Sequence, residues 1–195
     1  ECKIRKIDNI ILGHHRDDRD ENFFIRLTRG TGLKGLVSLS EKSNNFNINF
    51  IRPLLNIKKS QLIEISKNIF KEYIKDPSNE NLKFKRIRLR NLIKELEKEG
   101  LDKKKLDLTI NNLKESNNAL EFYSNKNVSE NSFLNSKRKV FILKKGFFIQ
   151  PNEIVLRSII KIIQKVSDKY YPPRGKSIIR LLNVIRNQQI VKNLT

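Results

Sequence analysis

Residues 8–12 read DNIIL, a short apolar run rich in β-branched side chains, and the run stops at Gly13. HHRDDRDE follows at once as residues 14–21, after which Phe23, Phe24 and Leu27 fall on one helical face. Few local structures accommodate that order. The apolar run reads as a buried parallel strand. Gly13 permits a sharp turn, and Asp17 or Asp18 belongs in the first turn of a helix, where the dipole favours negative charge. Strand, turn and helix make half of a βαβ unit, so the first part of the chain is expected to be α/β. Ligands in such folds bind beyond the carboxyl ends of the strands, which is where the acids lie.

The junction carries the chain's only two histidines, His14 and His15, beside Asp17, Asp18 and Glu21. Asp18 and Glu21 are three residues apart and share a helical face. Paired carboxylates there suit three tasks: ligating Mg²⁺, holding an ammonium group, or accepting a proton. The bland alternative has the aspartates capping the helix, Glu21 solvated and the histidines packed. A two-metal hydrolase would need further histidine or aspartate motifs, and no third histidine exists.

A second cluster begins with the turn Asp76-Pro77-Ser78-Asn79 and continues through Phe84, Arg86, Arg88 and Arg90. Residues 84–98 read as a basic helix that ends at Gly100. Arg86 and Arg90 lie one turn apart, and paired guanidinium groups suit phosphate. Glycines 30, 32 and 35 break the preceding helix into a loop. Phe46, Ile48 and Phe50 alternate with asparagines as a half-exposed strand, which Arg52-Pro53-Leu54-Leu55 ends. Residues 60–68 form a short amphipathic helix.

Beyond residue 100 the pattern is mainly helical. Residues 103–123 place Leu106, Ile110, Leu113 and Leu120 on one stripe. Residues 125–136, rich in Asn and Ser, are expected to be a loop. Residues 140–143 and 147–149 are expected to pair as a hairpin about Lys144-Lys145-Gly146, near 139–150. Pro151 opens a helix that buries Ile154, Val155, Ile159, Ile162, Ile163 and Val166. Tyr171-Pro172-Pro173 then precedes a last helix over 177–186. Two domains follow, 1–100 and 101–195.

The formal net charge of +20 points to a polyanionic partner. No apolar run is long enough to span a membrane, and no secretion signal opens the chain. Cys2 is the only cysteine, which excludes an internal disulfide framework and fits a reducing cytoplasm. With no methionine and an opening at Glu1, the chain reads as an internal fragment.

The stretch GHHRDDRDENFFIRLTRGTGLKGL resembles a segment of the tRNA(Ile)-lysidine synthases, a branch of the PP-loop ATP pyrophosphatases. Arg29, Gly30, Gly32, Leu33, Gly35 and Leu36 match that family's glycine-rich tail. Arg52-Pro53-Leu54-Leu55 and Asp76-Pro77-Ser78-Asn79, with Phe84, Arg86 and Arg90, match further segments in order. The resemblance implies the carboxyl half of a parallel-sheet PP-loop domain, followed by a helical tRNA-binding domain with a hairpin. It also implies ATP and Mg²⁺ as cofactors, and tRNA-Ile and free L-lysine as substrates. In that chemistry the C2 carbonyl oxygen of a wobble cytidine (CAU anticodon) is adenylated, and the lysine side-chain amine displaces AMP. Catalytic roles pass by match to His14, Asp18, Glu21, Arg86 and Arg90, and Mg²⁺ ligation to Asp18 and Glu21. A homodimer is compatible with this.

There are departures: Arg19, Asn22 and the run Ile87-Arg88-Leu89 differ from the family pattern. The Ser-Gly-Gly-x-Asp-Ser phosphate loop does not occur in these residues and is expected upstream of Glu1, so the piece is expected to be inactive alone. A tRNA 2-thiolation enzyme is the nearest alternative, although Cys2 alone supplies no cysteine pair. A non-catalytic RNA-binding module explains the charge but not the acidic cluster.

Overall fold

The computed structural model describes residues 1–2, 4–45, 48–73, 81, 83–135, 140–167, 173 and 175–187. Phe46, Tyr171, Pro172 and the Asp76-Pro77-Ser78-Asn79 turn lie outside them. The chain forms two compact units, Glu1–Lys114 and Glu115–Thr195.

The first unit holds a three-stranded sheet. Strand β1 (Asn9–Ile11) pairs in parallel with β3 (Ile48–Ile51), in register Ile10 to Phe50. Strand β2 (Lys42–Asn45) pairs antiparallel on the far side of β3, giving the order β1-β3-β2. The parallel strand is where the apolar run predicts it, but it is not buried: Asn9 and Ile11 are exposed and only Ile10 is half-covered. On the face that Asn9 shares with the exposed Ile11, Asn44 donates to Asn49 and Asn49 to Asn9 across all three strands. Such a ladder tolerates water, whereas a buried face would need aliphatic side chains.

Helix α1 (Arg16–Leu27) follows Gly13, as the junction predicts. Its end is sharper than the pattern shows. Leu27 is exposed, and Gly30 adopts φ 65°, which turns the chain out of the helix. Gly35 lies inside the short helix α2 (Leu33–Leu36) and not in a loop. Helix α3 (Lys59–Phe70) runs slightly beyond its predicted bounds. Arg52 fastens the hairpin below it, donating to the Ser40 carbonyl and to Ser43 Oγ at 3.0 Å each.

Helix α4 (Lys85–Lys98) ends as predicted at Gly100, whose φ is 96°. Leu101 N–H bonds Leu96 O and Gly100 N–H bonds Glu97 O, which closes the end carbonyls in a Schellman motif. Helix α5 (Lys103–Asn131) gives its first part to this unit, where Leu106 and Ile110 join Phe23, Phe24 and Leu89 in the core.

The second unit corrects two expectations. Residues 125–131 are not a loop, because they continue α5, and strand β4 (Ser132–Asn135) follows. β4, not residues 147–149, is the partner of β5 (Val140–Leu143). Lys145–Ile149 form a short helix, α6. Gly146 is there for proximity: a Cβ would fall 2.6 Å from Asn131 Oδ1. Helices α7 (Asn152–Ser167) and α8 (Gly175–Arg186) complete the unit. Its core is Phe147, Val155, Ile159, Ile162, Ile178 and Leu182, and Val166 lies outside it, exposed. Asn127 donates to Phe147 O and to Ser158 Oγ, so this residue, expected in a loop, is instead buried and satisfied.

Candidate functional site

Position in α1 decides what its acids do. His15 is the N-cap, and its backbone N–H donates to Asp18 Oδ2 at 3.0 Å. The same oxygen is 3.4 Å from His15 Nε2. Asp18 therefore closes the helix start, a role its place three residues past the cap predisposes it to. Asp17 and Glu21, four apart, share the neighbouring face and open into a cavity of about 660 Å³.

Nothing about α1's polar face is simply solvated. Arg19, Asp20 and Glu21 are all buried. Arg19 bonds Asp20 at 3.0 Å and also bonds Asp107 of α5, to which Arg16 is paired as well. Burial pushes the Asp20 carboxyl above its ordinary value, and the Arg19 guanidinium opposes that shift. This clamp fixes α1 against α5 and so fixes the pitch of Glu21.

Glu21 reaches across to α4, where its Oε1 accepts from Arg90 Nε. Glu21 is 4% exposed at the side chain and Arg90 29%. The hydrogen bond to Glu21 raises the Arg90 guanidinium above its ordinary value, with Glu21, Asp18 and Asp17 adding Coulombic support. The other carboxylate oxygen, Glu21 Oε2, is buried with no hydrogen-bond partner, as is Asp17 Oδ1. Two unsatisfied anionic oxygens beside one cavity are costly unless a cation or donor arrives.

Arg90→Ala is expected to lower unfolding stability by about 2–3 kcal/mol, below the full penalty for breaking a buried pair because Arg90 is partly exposed. Urea denaturation monitored by circular dichroism measures it. A loss under about 0.5 kcal/mol would mean that water, not Arg90, balances Glu21.

The cavity's other walls come from Lys59 and Ile63 of α3, Tyr73, and Ile87, Asn91, Ile93, Lys94 and Glu97 of α4, with Lys103 at the start of α5. Lys103 Nζ stands 3.8 Å from Asp17 Oδ1. Carboxylates at Asp17, Asp20, Glu21 and Glu97 thus face cations at Lys59, Arg90, Lys94 and Lys103. A wall of balanced charge suits a zwitterion, and the volume suits a small molecule.

Of the residues singled out by sequence, Glu21 and Arg90 meet directly, and Asp18 stands close enough to act on Arg90. Arg86 shares a second cavity with Arg90 but does not line the first. His14 lines neither, and its Nδ1 is buried without a partner. Asp107, Lys59, Lys94 and Lys103 escape sequence reading, since no local spacing connects them to the acids. Among the described residues no group of three or more histidine, cysteine or acidic side chains is arranged to hold a metal. No helix among them is long and apolar enough to cross a membrane.

Residues 1–96 match the family model of the PP-loop domain. The tRNA(Ile)-lysidine synthase of Wolbachia pipientis wMel is 31% identical over 194 residues, covering 100% of this chain and 45% of that protein. That of Ruegeria pomeroyi is 26% identical over 184 residues, 94% of this chain and 44% of the relative. That of Orientia tsutsugamushi (strain Boryong) is 44% identical over 95 residues, 49% of this chain and 21% of the relative. The chain thus spans less than half the length of these curated relatives.

Proposed function

We infer, from the match of residues 1–96 to the PP-loop domain, that the chain is part of an ATP-dependent ligase that modifies tRNA. The specific reading is tRNA(Ile)-lysidine synthase, in keeping with the names of its relatives. The observation that carries it is the facing of Glu21 and Asp17 with Arg90 around a charge-balanced cavity. A module that merely bound RNA would gain nothing from buried carboxylates with unsatisfied oxygens, because they repel phosphate.

In this reading residues 1–96 form the carboxyl half of a parallel-sheet PP-loop domain, and the helical unit beyond serves tRNA. The first cavity takes free lysine. Its ammonium groups meet Asp17 and Glu21, and its carboxylate meets the cations opposite. The carboxylates keep the attacking amine oriented and accept its proton. The C2 carbonyl oxygen of the cytidine first attacks the α-phosphate of ATP and releases pyrophosphate. The lysine side-chain nitrogen then bonds to C2, and AMP leaves with the oxygen. Arg90 holds the Glu21 carboxylate in place and Arg86 faces phosphate.

The donor set also fits Mg²⁺. Glu21 Oε2 and Asp17 Oδ1 are hard oxygen atoms without hydrogen-bond partners, and Mg²⁺ is commonly held by one or two carboxylates plus substrate phosphates. Asp17 and Glu21 would hold it together with substrate phosphates, since the His15 cap engages Asp18, and bound Mg²⁺ would supply neutralisation of phosphate charge.

The products test the reading. The complete protein, given ATP and tRNA-Ile with a CAU anticodon, releases pyrophosphate without lysine and releases AMP only when lysine is added. AMP release that needs a sulfur donor and ignores lysine would transfer the chain to the 2-thiolation enzymes.

A further inference from the structure

A second cavity, of about 460 Å³, lies on the other side of Arg90. Asn22 and Ile25 of α1, Arg29 just past its end, and Phe84, Lys85, Arg86 and Ile87 at the start of α4 complete its walls. Its chemistry differs from that of the first cavity. Among the described residues four cations line it, Arg29, Lys85, Arg86 and Arg90, and no carboxylate does. Arg90 is engaged by Glu21, and Lys85 Nζ donates to Thr28 Oγ1 at 2.9 Å. Arg29 and Arg86 make no ion pair with any described residue. Two uncompensated guanidinium groups on one concave wall repel each other and attract an anion. Phe84 completes the wall with a ring that is 53% exposed.

We propose that this cavity binds one nucleotide of the RNA substrate, with Arg29 and Arg86 on its phosphate and the Phe84 ring stacked on its base. The proposal rests on the reading of the chain as part of a tRNA-modifying enzyme and adds a site to it. Charge and shape together favour this ligand. A guanidinium pair matches a phosphodiester in geometry and sign. An exposed aromatic ring beside it is a platform for an unstacked base, as single-stranded segments of RNA provide. ATP is the other source of phosphate beside a base. Its polyphosphate travels with a divalent cation, however, and the carboxylates that would hold one face the first cavity.

The test uses the complete polypeptide in which these residues occur, carrying Arg29→Ala, Phe84→Ala or Phe84→Tyr. tRNA binding is followed by fluorescence anisotropy across a salt series, and ATP binding is measured in parallel. Arg29→Ala and Phe84→Ala are each expected to raise the tRNA Kd about tenfold. Arg29→Ala lowers the slope of log K against log salt by about one, and Phe84→Ala leaves it unchanged. Phe84→Tyr keeps the platform and binds as the wild type does. ATP affinity holds throughout.

Unchanged tRNA affinity in both alanine variants overturns the proposal, and so does a loss of ATP affinity with tRNA binding intact. Lysine transfer by the wild type alongside normal tRNA binding by the variants removes this site and leaves the enzyme reading standing. Arg29- and Phe84-dependent tRNA binding without any lysine transfer does the reverse.

Discussion

Glu21→Ala in the complete protein is expected to cut kcat/KM for lysine transfer to tRNA at least about a hundredfold, the scale on which a positioned acid–base group acts. tRNA affinity should change less than about twofold, because Glu21 faces the balanced cavity and not the cationic one. Glu21→Gln separates charge from shape. It keeps the volume and an oxygen for Arg90, yet it cannot hold an ammonium group by charge or accept its proton. Its activity should therefore stay near that of Glu21→Ala. Steady-state kinetics with labelled lysine reads both. Unchanged turnover in Glu21→Gln would return the residue to a structural role, as a partner that merely anchors α4 to α1.

Phe147→Ala has the largest expected effect on stability, about 3–5 kcal/mol. Phe147 is fully buried, at 0% exposure, among Val155, Ile159, Ile162, Ile178 and Leu182. Its ring meets Phe148 edge-on at 5.2 Å between centroids. Its backbone carbonyl, which the substitution keeps, accepts from Asn127 of α5. Truncation leaves a void in a close-packed core that the surrounding helices refill only in part. Hydrogen exchange should show loss of protection through α7 and α8. A cost below about 1.5 kcal/mol would mean that this core relaxes around the hole.

What was legible in the sequence was local. The apolar run, Gly13 and the acids specify β1 and α1 because each acts on its immediate neighbours. Gly100 ends α4 for the same reason. The hairpin was not legible, because the Asn/Ser-rich stretch after Asn125 has weak helix propensity of its own. Asn127 and Ser124 are helical because Phe147 O, Ser158 and Lys161 give them partners inside the fold. Sequence spacing likewise brings Asp18 and Glu21 to one face, but it does not show that His15 takes Asp18 for the cap and leaves Asp17 beside Glu21. The Glu21–Arg90 bond spans 69 residues, and the Arg19–Asp107 bond spans 88. Spacing on a basic helix and then family resemblance pointed to Arg90, but neither gave Glu21 as its partner. Nothing led to Asp107, since a lone aspartate on a lysine-rich helix carries no pattern.

The most direct measurement is the mass of the anticodon cytidine of tRNA-Ile after incubation with the complete protein, ATP and lysine. The predicted result is a nucleoside heavier by one lysine less one water, formed by the wild type and absent with Glu21→Ala. An unchanged cytidine, or one that has exchanged oxygen for sulfur, would contradict lysine transfer at this site.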